Sequence, residues 1–456
     1  MKKWLAAALG YIPRWIAFQL RQQDLPGVAV AITADGKLAL DCAFGIANRA
    51  AGAALTPGHN FRVASHSKTF TAVGLLKLAD AGRLRLDDAV GHYVEGLNPQ
   101  IAKASLAQLL SHSAGVVRDG RDGGQWVDRR PFLNEAELRE ALAEPPILEP
   151  NLRFKYSNHA FGLLGLVIAA VTGESYNDWV AREVVAAAGL TGTYPDANEG
   201  ARATLSQGHS AKLLFGERLV IPGDNPTYAL AAATGFISSA KNLAQFYSQL
   251  NPDADQSILS VASRREMTRR HWRVPDTSAE RHYGLGLIHG DIGDWPWYGH
   301  SGSFQGFATH TAVLPSQELC VSVLTNASDG GAAQLFDGVT HILQAFAHHG
   351  APHEDVAHWT GRWWTLWGAT DLTPMGHKVL VALPAQLNPF ADVSELTPCG
   401  ADAATITKAG GFGNFGEPAR LVRNDKGDVS EVWLAGDRLQ SEQAFSDEAR
   451  RRYPRE

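Results

Sequence analysis

The chain has 456 residues, of which 45% are hydrophobic and 19% charged, and carries a net charge of −6. That composition belongs to an ordered globular protein, and the length exceeds one ordinary core, so two domains are expected. With no basic face and no Lys/Arg run, nucleic acid is excluded as a partner, and no apolar run reaches the ~18 residues that a membrane span needs.

Cys42, Cys320 and Cys399 form an odd, scattered set without C-x-x-C spacing, so neither a disulfide framework nor a zinc site is expected. Such usage fits a reducing compartment, which puts the cytoplasm ahead of the periplasm or secretion as the expected location. The first residues, "MKKWLAAALGYIPRW", hint at a secretory signal, but Pro13 and Arg14 interrupt the apolar run and no A-x-A site follows. Trp15, Ile16, Phe18 and Leu20 recur at roughly helical spacing and predict an amphipathic first helix packed on the body.

"LPGVAVAITADGKLALDCAFG" reads as a hairpin turning at Asp35-Gly36. A helix is predicted over Ser65–Ala81, closed by Gly82, and apolar on most sides, hence buried. Further helices are read in "SLAQLLSHSAG", "NHAFGLLGLVIAAVTG", "SYNDWVAREVVAAAG" and "SSAKNLAQFYSQL". Strands return in "YGLGLIHG", "GFATHTAVLP" and "LCVSVLTN", before a last helix in "AAQLFDGVTHILQAFAHHG". Strands at both ends with helices between predict one antiparallel sheet whose first and last strands meet. After a linker, "APHEDVAH", strand and turn signals dominate, with hairpin turns at Asp425-Lys426-Gly427 and Ala435-Gly436-Asp437. Residues 351–456 are therefore expected to form a small β-barrel-like accessory domain behind a domain of residues 1–350.

Three short runs carry groups with chemistry. In "RVASHSKTF", Ser65 and Lys68 stand three apart at a helix start, where their side chains share a face. A desolvated lysine can relieve a serine hydroxyl of its proton, and free N–H groups at a helix start suit an oxyanion. An N-cap serine beside a surface lysine would read the same way. In "RFKYSNHAFG", Tyr156 offers a proton shuttle if cations such as Lys68 lower its pKa, and Asn158 offers an amide to a substrate amide; helix capping is the plainer account. In "YGHSGSFQGF", Gly302 leaves room beside a strand edge, the Ser303 N–H is placed to be a second oxyanion donor, and His300 can hydrogen-bond a substrate group; a glycine-rich hairpin is the plainer account.

Ser-x-x-Lys, Tyr-x-Asn and His-x-Gly, in this order, resemble the active-site elements of the penicillin-recognising serine hydrolases, whose motifs include S-x-x-K and a K-T-G strand. Together with "LLSHSAG", "PGVAVAI", "GLLKLADAGRLRLDD" and "TGFISSAKNLAQF", they resemble the branch holding class C β-lactamases, D-alanyl-D-alanine carboxypeptidases, D-aminopeptidases and related esterases. The resemblance covers about residues 20–347. It implies a β-lactamase-like α/β (α+β) fold, a central antiparallel sheet flanked by helices with a helical subdomain. It implies Ser65 as the acylated nucleophile, Lys68 and Tyr156 as general base and acid, the N–H groups of Ser65 and Ser303 as oxyanion donors, and Asn158 as the group that orients the substrate amide. One position departs from it: His300 stands where β-lactamases and carboxypeptidases have a lysine that helps bind the substrate carboxylate. His-x-Gly and a C-terminal β-domain resemble D-aminopeptidases and their relatives. The expected substrate is a small molecule or short peptide cleaved at an amide bond, without metal or cofactor. An esterase or acyltransferase is the alternative, then a true β-lactamase, then a non-catalytic peptide-binding protein. A homo-oligomer is among the expected partners, and the sequence assigns the accessory domain no role of its own.

Other signals lack their structural context. "GFGNFG" at Gly411–Gly416 matches G-x-G-x-x-G but precedes a strand and not a helix. "GHSGS" and "SHSAG" each miss one glycine of a nucleophile elbow. His348, His349, His353 and His358 show no metal-ligand spacing and are expected to be solvated. The tryptophans of "HWTGRWWTLW" are expected in barrel core or interdomain packing.

Overall fold

The computed structural model describes residues 1–410 and 413–453. The chain forms two compact units, Leu25–Phe336 and a second made of Met1–Asp24 with Asp337–Glu456.

In the first unit, β1 (Gly27–Ala34) and β2 (Lys37–Asn48) form the expected hairpin. Asp35 and Gly36 both take positive φ, 50° and 70°, the pairing a two-residue turn of this hand demands. With β3 (Ala53–Ala54), β4 (Trp272–Val274), β5 (Arg281–Tyr283), β6 (Ile288–Ile292), β7 (Trp295–Phe304), β8 (Phe307–Leu314) and β9 (Leu319–Thr325) they make a nine-stranded sheet. Its order is β3-β2-β1-β9-β8-β7-β6-β5-β4. The first and last long strands meet as expected: β1 pairs antiparallel with β9, from Val28↔Thr325 to Ala34↔Leu319. Both strands are buried along nearly their whole length, which explains why they read as continuous Val/Ala/Ile/Leu runs without alternation.

The helical region lies between β3 and β4 in the chain. Its central helix α1 (His66–Asp80) buries His66 through Leu76 without a break. Phe70 stacks between Phe236 and Phe246, with ring centroids 4.1 and 4.0 Å away. Helix α2 (Asn158–Thr172) starts on a Ser157 cap to the Ala160 N–H and ends on Gly173 at φ 76°. "SLAQLLSHSAG" is helical only over Leu106–Leu110, because His112 turns left-handed at φ 59° and stops it. "YGLGLIHG" divides between β5 and β6, and Gly286 at φ 70° makes the break.

In the second unit, β10 (Gly361–Thr365), β11 (Gly368–Met375), β12 (Lys378–Ala382), β13 (Ser394–Pro398), β14 (Ala403–Lys408), β15 (Pro418–Arg423), β16 (Val429–Leu434) and β17 (Asp437–Gln440) form a closed eight-stranded barrel. Closure runs through Trp364↔Gln440. Eight strands leave an interior that side chains can fill, and Trp359, Trp363, Leu372, Leu396 and Val432 fill it. Trp367, at the β10–β11 tip, is instead fully exposed. The expected first helix, Lys3–Gln22, packs within this unit: the Tyr11 hydroxyl donates to Asp371 at 2.9 Å and Gln19 to the Pro384 carbonyl at 2.7 Å. Gly411 and Phe412, which open the G-x-G-x-x-G match, lie outside the described residues; the run leads into β15. Among the described residues no single helix is long and apolar enough to cross a membrane.

Candidate active site

Ser65 stands where the chain leaves Arg62-Val63-Ala64 and enters α1. The Arg62 guanidinium is fully buried and donates to the carbonyls of Gly223 (2.6 Å), Gly235 (2.8 Å) and Asn225, with Asp196 at 3.4 Å. These bonds hold the approach to the helix. Ala64 then takes φ 49°, a left-handed conformation that costs a side-chain-bearing residue on the order of 1–3 kcal/mol. Ser65 follows and is the one partly exposed residue between Phe61 and Leu76.

The Ser65 hydroxyl meets two partners. The Tyr156 hydroxyl donates to Oγ at 2.8 Å, and Lys68 Nζ approaches it at 3.2 Å. Lys68 is wholly buried, and Nζ also reaches Asn158 Oδ1 at 2.7 Å and the Ala233 carbonyl at 2.8 Å. Burial pushes Lys68 well below the ordinary lysine range; the Asp119 charge pulls it back up and Arg118 pushes it further down. For Tyr156 the lowered pKa on which a proton shuttle was conditional is not found. Burial raises it, and the Ser65 hydrogen bond and Arg118 oppose that without overcoming it. The site thus favours a neutral amine and a neutral phenol on either side of one serine oxygen.

Neighbouring residues of the motif serve the scaffold. His66 Nδ1 pairs with the Tyr247 hydroxyl at 2.8 Å, and Ser67 Oγ donates to the Ala64 carbonyl at 2.6 Å. Neither pairs with Ser65, as expected from residues adjacent on a helix.

Tyr156 and Asn158 are held by two segments to which the sequence reading gave no role. Lys155 N donates to the His112 carbonyl at 2.8 Å, and Ser157 N donates to His112 Nδ1 at 3.1 Å. The His112 ring lies 4.2 Å from that of Tyr156, which fixes the phenol over Ser65. From the other side, Ser157 Oγ donates to the Val117 carbonyl at 2.6 Å and Asn158 N to the Arg118 carbonyl at 3.0 Å. Asp119 accepts from Asn158 Nδ2 at 2.6 Å, while Asn158 Oδ1 accepts from Lys68. That leaves the Asn158 amide one donor and one acceptor position.

The strand side comes within backbone contact. A Cβ on Gly302 would lie 2.2 Å from the Val63 carbonyl oxygen, so only glycine lets β7 approach the turn into Ser65 this closely. Ser303, the next residue, is exposed. His300 is 1% exposed, donates from Nδ1 to the Ser301 carbonyl at 2.7 Å, and accepts at Nε2 from the Tyr283 hydroxyl at 3.0 Å. Burial pushes it down to about 3. Both ring nitrogens are therefore engaged inside the protein and the ring is neutral. The expected contact between His300 and a substrate is not prepared in this arrangement, because Tyr283 on β5, the next strand but one, occupies its one acceptor.

The Beta-lactamase family matches residues 12–344 of this chain, well over half of it. Protein flp of Staphylococcus aureus (strain MW2) is 30% identical over 169 residues, 36% of this chain and 34% of its own, so the match spans about a third of that relative. Solved structures are similar as well, two of them over most of their length. The octameric penicillin-binding protein homologue from Pyrococcus abyssi is 23% identical with a TM-score of 0.63, covering 94% of this chain and 99% of that one. A D-stereospecific amidohydrolase from Streptomyces sp. is 25% identical with a TM-score of 0.59, covering 72% and 96%. The order of the motifs, the antiparallel sheet and the extent of the family match agree, and the chain belongs to the Beta-lactamase family.

Proposed function

We propose that the chain is a serine hydrolase that cleaves an amide or peptide bond through an acyl-enzyme on Ser65, of the D-aminopeptidase or D-amino-acid amidase type. The observation that carries this reading is the single Oγ met by both the Lys68 amine and the Tyr156 hydroxyl. Neutral Lys68 takes the Ser65 proton as Oγ attacks the substrate carbonyl. The oxyanion that forms is received by the N–H groups of Ser65 and Ser303. Tyr156 passes its proton to the leaving amine and is recharged from Lys68. Water then attacks the ester, giving up a proton to the same Lys68–Tyr156 pair, which delivers it to Ser65 Oγ as the acyl bond breaks. Asn158 orients the substrate amide with the hydrogen-bonding positions that Lys68 and Asp119 leave open.

Two observations bear on the substrate. A neutral, engaged His300 offers no cation to a substrate carboxylate, which favours amides and short peptides over β-lactams. The similarity to a D-stereospecific amidohydrolase supports a D-residue on the acyl side. The proposal takes residues 1–350 as the hydrolase domain and 351–456 as an accessory domain. It includes a homo-oligomer, since an octameric homologue shares the fold over nearly the whole chain.

A fluorophosphonate probe followed by peptide mass spectrometry tests the chemistry. One adduct on Ser65, absent from Ser65→Ala, is expected; no adduct refutes the catalytic reading. Comparing D- and L-amino-acid amides, a p-nitrophenyl ester and a chromogenic cephalosporin tests the substrate. Turnover of the ester alone would replace an amidase by an esterase.

A further inference from the structure

The histidines around residue 350 show no ligand spacing along the chain, but the barrel unit brings one of them to a partner far away in sequence. His353, Asp355 and His377 meet on the surface of this unit, their ligand atoms all within 4.8 Å of one another. His353 Nδ1 lies 2.8 Å from Asp355 Oδ1, and His377 Nδ1 lies 3.3 Å from Asp355 Oδ2. The two imidazoles face each other at 4.2 Å between centroids, 36° from parallel. Two imidazole nitrogens converging from separate segments on one carboxylate are the donor set of a zinc-class cation.

The backbone sets this meeting. His353 N donates to the Gly376 carbonyl at 2.7 Å, and Gly376 N donates to the Ala351 carbonyl at 3.1 Å. Gly376 is at φ 55°, and a Cβ there would lie 2.7 Å from the His349 carbonyl oxygen, so the β11–β12 turn approaches the segment after His349 as only glycine allows. On the other side Val356 and Trp359 are fully buried in the barrel core and anchor the same segment. Two of the ligands are therefore held on backbone that is already paired, and little ordering is left for a metal to impose.

We propose that His353, Asp355 and His377 bind one divalent zinc-class cation, which clips the segment leading into the barrel to the β11–β12 turn. Ligands on tetrahedral zinc stand roughly 3.3 Å apart, given Zn–N and Zn–O bonds of about 2.0–2.1 Å. The observed separations reach that spacing by turning side chains alone. Each imidazole carries its proton on Nε2 and directs the Nδ1 lone pair to the metal, the Asp355 carboxylate supplies the third bond, and water completes the shell. The side chains are 55%, 55% and 70% exposed, so the cation enters without unfolding the barrel.

The test is calorimetric titration of untagged, EDTA-treated full-length chain with ZnCl2. One zinc per chain with micromolar affinity is expected. His353→Ala and His377→Ala should each weaken it at least about tenfold, while His348→Ala, at an exposed histidine outside the cluster, should leave it unchanged. Zinc should also raise the melting temperature of the wild type and not of His377→Ala. All ligand variants change exposed side chains, and a native melting transition confirms that they fold. Absence of a saturable site, equal affinity in wild type and His377→Ala, or loss of binding in His348→Ala overturns the proposal.

Discussion

Replacing Gly302 by alanine tests whether strand β7 completes the site. The added Cβ would stand 2.2 Å from the Val63 carbonyl oxygen and 2.4 Å from Thr309 Oγ1. Thr309 can rotate away, but Val63 O is backbone, and an ordinary carbon–oxygen approach is about 3.3 Å or more. The strand and the turn into α1 must therefore separate by about 1 Å. That displacement acts on Ser65, two residues after Val63, and on Ser303, next to the substituted position. A misplacement of that size costs about 100-fold in rate, in the range seen when one oxyanion donor is lost. Overpacking should cost on the order of 1–3 kcal/mol of stability as well. Gly299→Ala supplies the control, because its Cβ would meet the Thr311 carbonyl oxygen at 2.0 Å, straining the same strand against β8 and not against Val63. Pre-steady-state acylation by a p-nitrophenyl ester, at a temperature where both variants are folded, should show Gly302→Ala slowed about 100-fold and Gly299→Ala slowed by much less. Equal slowing of the two, or a Gly302→Ala rate within about threefold of wild type, refutes the claim that this contact aligns Ser65 with Ser303.

Tyr156→Phe removes a hydroxyl bonded to Ser65; kcat should fall about 10²–10⁴-fold, while a urea titration should show a stability loss of no more than about 1.5 kcal/mol. Asp119 favours the charged form of Lys68 and Arg118 disfavours it. If neutral Lys68 is the base, Asp119→Asn moves the acid limb of the kcat/KM profile to lower pH and Arg118→Gln moves it to higher pH; shifts in the same direction would remove Lys68 from that role. Burial pushes His289, His300 and His310 each down to about 3. Between about 6.5, the usual imidazole value, and about 3, the unfolded chain takes up protons that the native chain refuses, so stability falls as the pH falls through this window. Urea midpoints should therefore be lower at pH 5 than at pH 7.5, and equal midpoints would contradict the buried, neutral assignment.

What was legible in the sequence is what neighbours in the chain decide. Ser65 and Lys68 meet because α1 sets residues three apart on one face, and Gly82 and Gly173 mark helix ends because only a left-handed residue closes them cheaply. The β1–β2 hairpin was legible from Asp35-Gly36 for the same reason. The groups that decide how Lys68 and Tyr156 behave were not legible, because they come from other segments. Asp119 reaches Asn158 across 39 positions, and His112 braces Tyr156 from the far side of that loop. Tyr283 satisfies His300 from two strands away in the sheet, so a histidine that looked free to read a substrate is already committed. His377 reaches the pair at His353 and Asp355 only through the β11–β12 turn. The same division runs through the chemistry. The motif residues place a serine hydroxyl beside an amine and a phenol, and the protonation state that each favours follows from burial, which no motif spells. A lowered Tyr156 pKa was the condition for a proton shuttle: Arg118 does pull it down, but burial outweighs that cation, and the burial that favours a neutral lysine also favours a protonated tyrosine. Burial thus moves the pKa of an amine and of a phenol in opposite directions, as the proposed base and acid require, and changing Asp119 or Arg118 should shift Lys68 without touching a motif residue.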